Sequence, residues 1–229
     1  MKHALAVCLI ALTFAAVVPC ASAQSPELRK GISVRMAVTR NASPMPEADT
    51  EDAWIVTVAA DGSLYFGADP MTPDQLADWM KTHPRNREAQ LYIKADARAP
   101  FANVEKALEL GRDAGFAAPV LLTSQKESHP PGTMVAPKGL PVLLEAPPGT
   151  SSIVVEISAG EGSSLLKVNN DEISVDALQN TLSRLLQNQN PRVVTVKADG
   201  RVSFNDFAHV VDLCSAIGAK VSLATAAEL

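Results

Sequence analysis

The chain has no excess of basic residues. Its 20 Lys and Arg stand against 25 Asp and Glu, a net charge of −5 spread along the sequence, so no basic patch calls for nucleic acid. Cysteine is scarce: of three residues, Cys8 and Cys20 lie in the N-terminal stretch read below as removed on export, which would leave Cys214 without an intramolecular disulfide partner. His83, His129 and His209 show no paired spacing that would bring two imidazoles onto one helix face. No metal and no cofactor are therefore expected. The glycine-rich GEGSS from Gly160 lacks the lysine and the glycine pattern of a phosphate loop, and it reads as a hairpin turn. The single long apolar run, Ala4 to Val18, has fifteen residues, short of the roughly 20 that span a bilayer.

That run is instead the core of an export signal. Lys2 and His3 precede it, and Pro19 and the small residues Ala21, Ser22 and Ala23 follow, a pattern for cleavage before Gln24. Pro19 stands where a lipidated Cys20 would need a small neighbour. Residues 1–23 thus read as a signal peptide, with an uncleaved anchor as the alternative. The rest, 47% apolar over the whole chain, supports packed cores rather than disorder.

Self-similarity is the strongest positive signal. IKADARAPFANVEKALELGRDAG, residues 93–115, matches VKADGRVSFNDFAHVVDLCSAIG, residues 196–218, at seven of 23 ungapped positions, against roughly one or two from ordinary residue usage. The order of signals around each stretch is the same. Three extended runs open each copy: ISVRMAV from Ile32, WIVTVA from Trp54 and SLYFG from Ser63 in the first, LPVLLEA from Leu140, SIVVEIS from Ser152 and SLLKV from Ser164 in the second. Asp61-Gly62 and the Gly160–Gly162 stretch supply the hairpin turns.

A helix follows in each. Thr72 with Gln75 forms a capping box with Pro73 at the first helical position and Leu76, Trp79 and Met80 on one face, while Ser174 starts the counterpart with its stripe of Leu178, Leu182, Leu185 and Leu186. Next come a strand (LYIKA, VVTVKA), a second helix ended by Gly115 or Gly218, and a final strand (PVLLT, KVSLAT). Ser203 with Asp206 gives the last helix a capping pattern. Strand, helix, strand at this spacing predicts a right-handed parallel crossover. The expected architecture is α/β of the α+β type: domains at 24–123 and 140–229, each a mixed sheet with two helices on one face, joined by a Pro- and Gly-rich linker at 124–139.

The strand, the Ala-Asp pair, the aromatic residue, the amphipathic helix, the glycine and the V-x-L-x-T strand together resemble the ExbD/TolR family. The second copy, Val196 to Thr225, is the closer match; the first keeps Ala95, Asp96, Phe101, Gly115 and Thr123 with one extra residue after its glycine. The resemblance implies a periplasmic domain of proton-driven envelope machines, dimeric in similar proteins and tied to cell-wall binding in the TolR branch. Two copies in one chain would form an intramolecular pseudo-dimer. Family members carry a transmembrane helix with an ionisable aspartate; residues 4–18 hold no acidic or basic side chain, so an accessory role in the envelope is expected.

Asp96 and Asp199 read as turn carboxylates that accept backbone N–H bonds. Phe101 and Phe204 read as core residues opening the second helices, and Gly115 and Gly218 as helix ends. Cys214 shares the apolar stripe of Phe204, Phe207, Val210, Val211 and Ile217, and reads as a buried hydrophobe rather than a nucleophile. The expected protein is not an enzyme; it binds an envelope protein or peptidoglycan, with strand addition at a sheet edge as a mode. A membrane-retained transport subunit is the second reading, and a thiol hydrolase the third.

Overall fold

The structure is a computed structural model that describes residues 32–83, 89–126, 136–148 and 153–224. The proposed signal peptide, His129 and the middle of the linker lie outside these residues.

The first copy runs β1 (Ser43–Pro44), β2 (Trp54–Val58), β3 (Leu64–Phe66), β4 (Asp69–Met71), α1 (Pro73–Thr82), β5 (Leu91–Ala95), α2 (Phe101–Asp113) and β6 (Val120–Thr123). The second runs β7 (Lys138–Leu143), β8 (Ile153–Ala159), β9 (Ser164–Val168), β10 (Asp171–Ile173), α3 (Val175–Leu185), β11 (Val193–Ala198), α4 (Phe204–Ala216) and β12 (Lys220–Leu223). Local chemistry explains most boundaries. Gly62 turns the first hairpin at φ +88°, and the Ser63 N–H donates to Asp61 Oδ1 at 3.0 Å. The capping box on α1 is complete: Gln75 N–H donates to Thr72 Oγ1 at 3.2 Å and Thr72 N–H to Gln75 Oε1 at 2.8 Å. Ser174 occupies the same place before α3 but makes no side-chain cap bond. Leu178, Leu182 and Leu186 are buried, while Leu185, expected beside them, is 39% exposed.

Strand pairing repeats from copy to copy. β2, β5 and β6 are parallel neighbours, as are β8, β11 and β12, and the equivalent residues Ile93 and Val196 sit opposite Val56 and Val155. The expectation of separate sheets is corrected, however. All strands join one sheet in the order β10-β9-β8-β11-β12-β7-β6-β5-β2-β3-β4, with β1 beside β7.

Strand β7 makes the join. Its residues 138–141 run antiparallel to β6, while Val142 and Leu143 run parallel to β12. Gly139 allows this approach, since a Cβ there would meet Val120 Cγ1 and lie 3.2 Å from the Leu121 carbonyl. Lys138 and Gly139, which composition groups with the linker, are therefore part of the strand. The first copy's own leading run, read as a strand, forms no continuous ladder with its neighbours but the isolated bridges Met36 to Asp96 and Val38 to Ser124, with backbone bonds between Arg35 and Ala97 and between Ala37 and Ser124, while β7 holds the edge of β6.

All four helices lie on one face, where Leu76, Met80, Val104 and Leu108 and their counterparts Leu178, Leu182, Phe207 and Val211 share a continuous core with both sets of strands. The opposite face differs between copies. In the first, Ile55, Tyr92, Val120 and Leu122 are covered by Met36, Met45, Ala48 and Ala53. In the second, Glu172, Lys167, Glu156 and Lys197 stand in register across β10, β9, β8 and β11, an alternating charge row that suits a water-facing surface. The outermost strands β4 and β10 are three residues each and carry Asp69, Pro70, Asp171 and Glu172, and short edges with acidic residues or proline disfavour an added strand.

Candidate functional site

The residues singled out in the repeat gather where β5 leads into α2 and β11 into α4. Asp96 is buried, and its carboxylate receives four bonds: from the Arg98 N–H at 3.0 Å, Arg98 Nε at 2.8 Å, Arg98 Nη2 at 2.9 Å and the Arg35 N–H at 3.1 Å. Asp199 repeats the pattern with Arg201, at 2.8 Å from its N–H, 3.1 Å from Nε and 2.8 Å from Nη2. Each aspartate thus closes a two-residue ring with the arginine just ahead of it. The side-chain bonds from Arg98 hold the Asp96 carboxyl well below the usual carboxylate range, and those from Arg201 lower Asp199 to about 2. Both stay ionised at neutral pH and are committed to their arginines.

Arg98 and Arg201 were absent from the sequence-based set. The signal was available: the arginine is one of the seven identities between the copies.

The two turns face each other. Phe101 N–H donates to the Val202 carbonyl at 2.8 Å and Phe204 N–H to the Ala99 carbonyl at 2.8 Å; Ala102 N–H reaches Gly200 at 3.0 Å and Asn205 N–H reaches Ala97 at 2.9 Å. Pro100 and Ser203 form an antiparallel bridge between them. Behind the bonds the rings of Phe101 and Phe207 pack with centroids 4.2 Å apart. Asp96, Asp199, Phe101 and Phe204 are therefore brought together, whereas Gly115 (φ +85°) and Gly218 (φ +70°) close the far ends of α2 and α4, about 20 Å of helix away.

A second tie was also missed. Asp212 of α4 is buried and accepts the Arg40 N–H at 3.1 Å and the Asn41 N–H at 2.8 Å, with Asn41 Nδ2 at 3.1 Å. The leading segment of the first copy is thereby fastened to the last helix of the second.

Groups suited to covalent chemistry lie elsewhere. Cys214 is buried, and burial pushes its thiol up to about 12, which withholds the thiolate. The His83 ring stacks on Trp79 at 4.0 Å, and His209 is exposed on α4. Among the described residues no three His, Cys, Asp or Glu side chains gather as metal ligands, and no helix is long and apolar enough to cross a membrane. An open cavity of about 520 Å³ is lined by Gln189, Asn190, Pro191, Arg192, Gly218 and Lys220. Arg192 there donates to the Ile217 carbonyl at 3.4 Å, completing the end of α4.

The family model described as Biopolymer transport protein ExbD/TolR matches the chain twice, over residues 5–126 and 131–228. No curated protein and no solved structure matches it.

Proposed function

Because the chain belongs, twice over, to the ExbD/TolR family of biopolymer transport proteins, we propose that it is a non-enzymatic binding module of the cell envelope, its two copies working as one pseudo-dimer on an envelope protein or on peptidoglycan. The double family match carries this reading. The reciprocal bonds between the copies support the pseudo-dimer, since paired subunits meet in this manner. The charged groups of the turns fit the non-enzymatic reading, since Asp96 and Asp199 are consumed by their arginines. Residues 24–123 and 140–229 are the proposed copies, with 1–23 removed on export to the periplasm.

Crosslinking of the full chain in intact envelopes, together with co-sedimentation on purified peptidoglycan, tests the binding role. A specific crosslinked envelope protein, or saturable sedimentation, is expected; neither would refute the reading. The alternative, a membrane-retained subunit of a proton-motive-force-driven complex, is favoured by one observation: the family match starts at residue 5 and takes in the apolar run. N-terminal sequencing separates the two, with Gln24 marking the exported form and Met1 the retained one.

A further inference from the structure

We infer that the open cavity beside the end of α4 is a binding site for the free carboxyl terminus of a short peptide, held by Arg192 and Lys220. The inference gives the proposed binding module a ligand site and rests on that reading.

The cavity, about 520 Å³, falls within the size range of small-ligand sites. Of its lining residues Arg192 and Lys220 are cations, Gln189 and Asn190 are carboxamides, and none is acidic. Backbone pairing sets the two cations side by side, since the Lys220 N–H donates to the Arg192 carbonyl at 2.9 Å where β11 and β12 begin as parallel neighbours. Both residues are exposed, and among the described residues neither makes an ion pair. The 3.4 Å bond from Arg192 to the Ile217 carbonyl uses one of the five N–H donors of a guanidinium. The others face no acidic partner.

The first copy shows that the fold does not require this arrangement. Counting back from the equivalent residues Ile93 and Val196 puts Ala89 in the place of Arg192. Leu121 lies opposite Ile93 and Leu223 opposite Val196, which puts Ala118 in the place of Lys220. After its helix-ending glycine the first copy carries Phe116, buried with its ring 5.6 Å from that of Trp54; the second carries Ala219 and reaches its strand one residue sooner. The first copy's end is also covered, by Gln90, whose amide donates to the Ala118 carbonyl, and by the Leu144 N–H on the Ala117 carbonyl at 3.1 Å. The second copy thus has two cations in place of two alanines and a methyl in place of a ring. Offsetting the dipole at the end of α4 accounts for one cation, but not for a second on the neighbouring strand.

The surroundings select a peptide carboxylate over a phosphate. Phosphate sites draw on the N–H ends of helices, whereas this cavity meets the carbonyl end of α4 at Gly218. The last carbonyls of a helix lack helical partners; they accept from a peptide N–H and repel a dianion. The planar fork of Arg192 with Lys220 suits one carboxylate, and Gln189 and Asn190 can both donate to and accept from the adjoining peptide unit. With 25 acidic against 20 basic residues, the surface as a whole offers an anion little attraction.

An amide-resolved NMR titration of the full chain with acetyl-trialanine, its C-terminal amide and inorganic phosphate tests the site. The free acid should shift Gln189, Asn190 and Gly218 and leave Gly115 and Ala118 in place. The amidated peptide should bind about tenfold more weakly or worse. Lys220→Ala, which installs the first copy's residue at an exposed position, should weaken the free acid by a similar factor with an unchanged circular dichroism spectrum; Lys220→Gln is read in the same way should the alanine variant not fold. A peptide ending in D-alanine separates the sources, tighter binding of the D form marking a cell-wall peptide and of the L form a protein tail. Equal binding of acid and amide, phosphate binding as tight as the peptide, equal shifts in both copies, or no shift at millimolar peptide would each overturn the inference. Peptide binding without envelope crosslinks or sedimentation refutes the module reading alone, and crosslinks without peptide shifts refute this site alone, so the two fail separately.

Discussion

At the scale of residues, the two Asp-x-Arg rings look alike and differ in consequence. The Asp96 side chain is 3% exposed and that of Asp199 32%, so the first pair sits in the weaker solvent screening. Asp96→Asn is expected to destabilise the chain at pH 7 by about 1 to 2 kcal/mol, discounted for the exposed Arg98, and Asp199→Asn by less. Because the Asp96 carboxyl titrates below its unfolded value, its contribution is fully present above about pH 4 and fades as pH falls toward the folded value. Urea melts of wild type and Asp96→Asn should therefore converge in acid; a constant gap would contradict the ion-pair account. Cys214, buried with its thiol raised to about 12, should resist thiol reagents in the native chain and react only on unfolding. The aspartates were legible in the sequence as turn residues because an Asx turn is a local event, and their arginines were marked by identity between the copies, but the backbone bonds from one turn to the other were not.

At the scale of elements, what succeeded was whatever the chain decides within one turn or one period. The capping box of α1, the hairpin at Gly62 and the glycine stops of α2 and α4 all follow from neighbours in sequence. Gly218→Ala isolates one such rule: at φ +70° with nothing within 4 Å of the new Cβ, it should cost about 1 to 2 kcal/mol through backbone strain alone, measured as a shift in urea midpoint with an unchanged slope. β4 and β10 escaped notice because three residues are too few to show an alternating pattern. Ser174, by contrast, has the right position and no bond, which shows that a cap residue licenses a cap without compelling one.

At the scale of the whole molecule, the shared strand β7, the reciprocal helix completion and the Asp212 tie join the copies, and they are expected to unfold as one cooperative unit. Both tryptophans, Trp54 and Trp79, lie in the first copy, so tryptophan fluorescence reports that half while far-ultraviolet circular dichroism reports both. The two midpoints in urea should coincide; a dichroism transition split in two would show independently folding halves. By itself the sequence determined the repeat, the helices and most of their strands and the identity of the buried faces, because periodicity and turn chemistry are written in neighbouring residues. Only the tertiary structure decided that the strands merge into one sheet, that β7 displaces the first copy's own leading segment, and that each helix start is completed by the other copy. Those outcomes are competitions between distant backbone groups for the same hydrogen-bonding edge, and backbone groups are the same in every residue but proline.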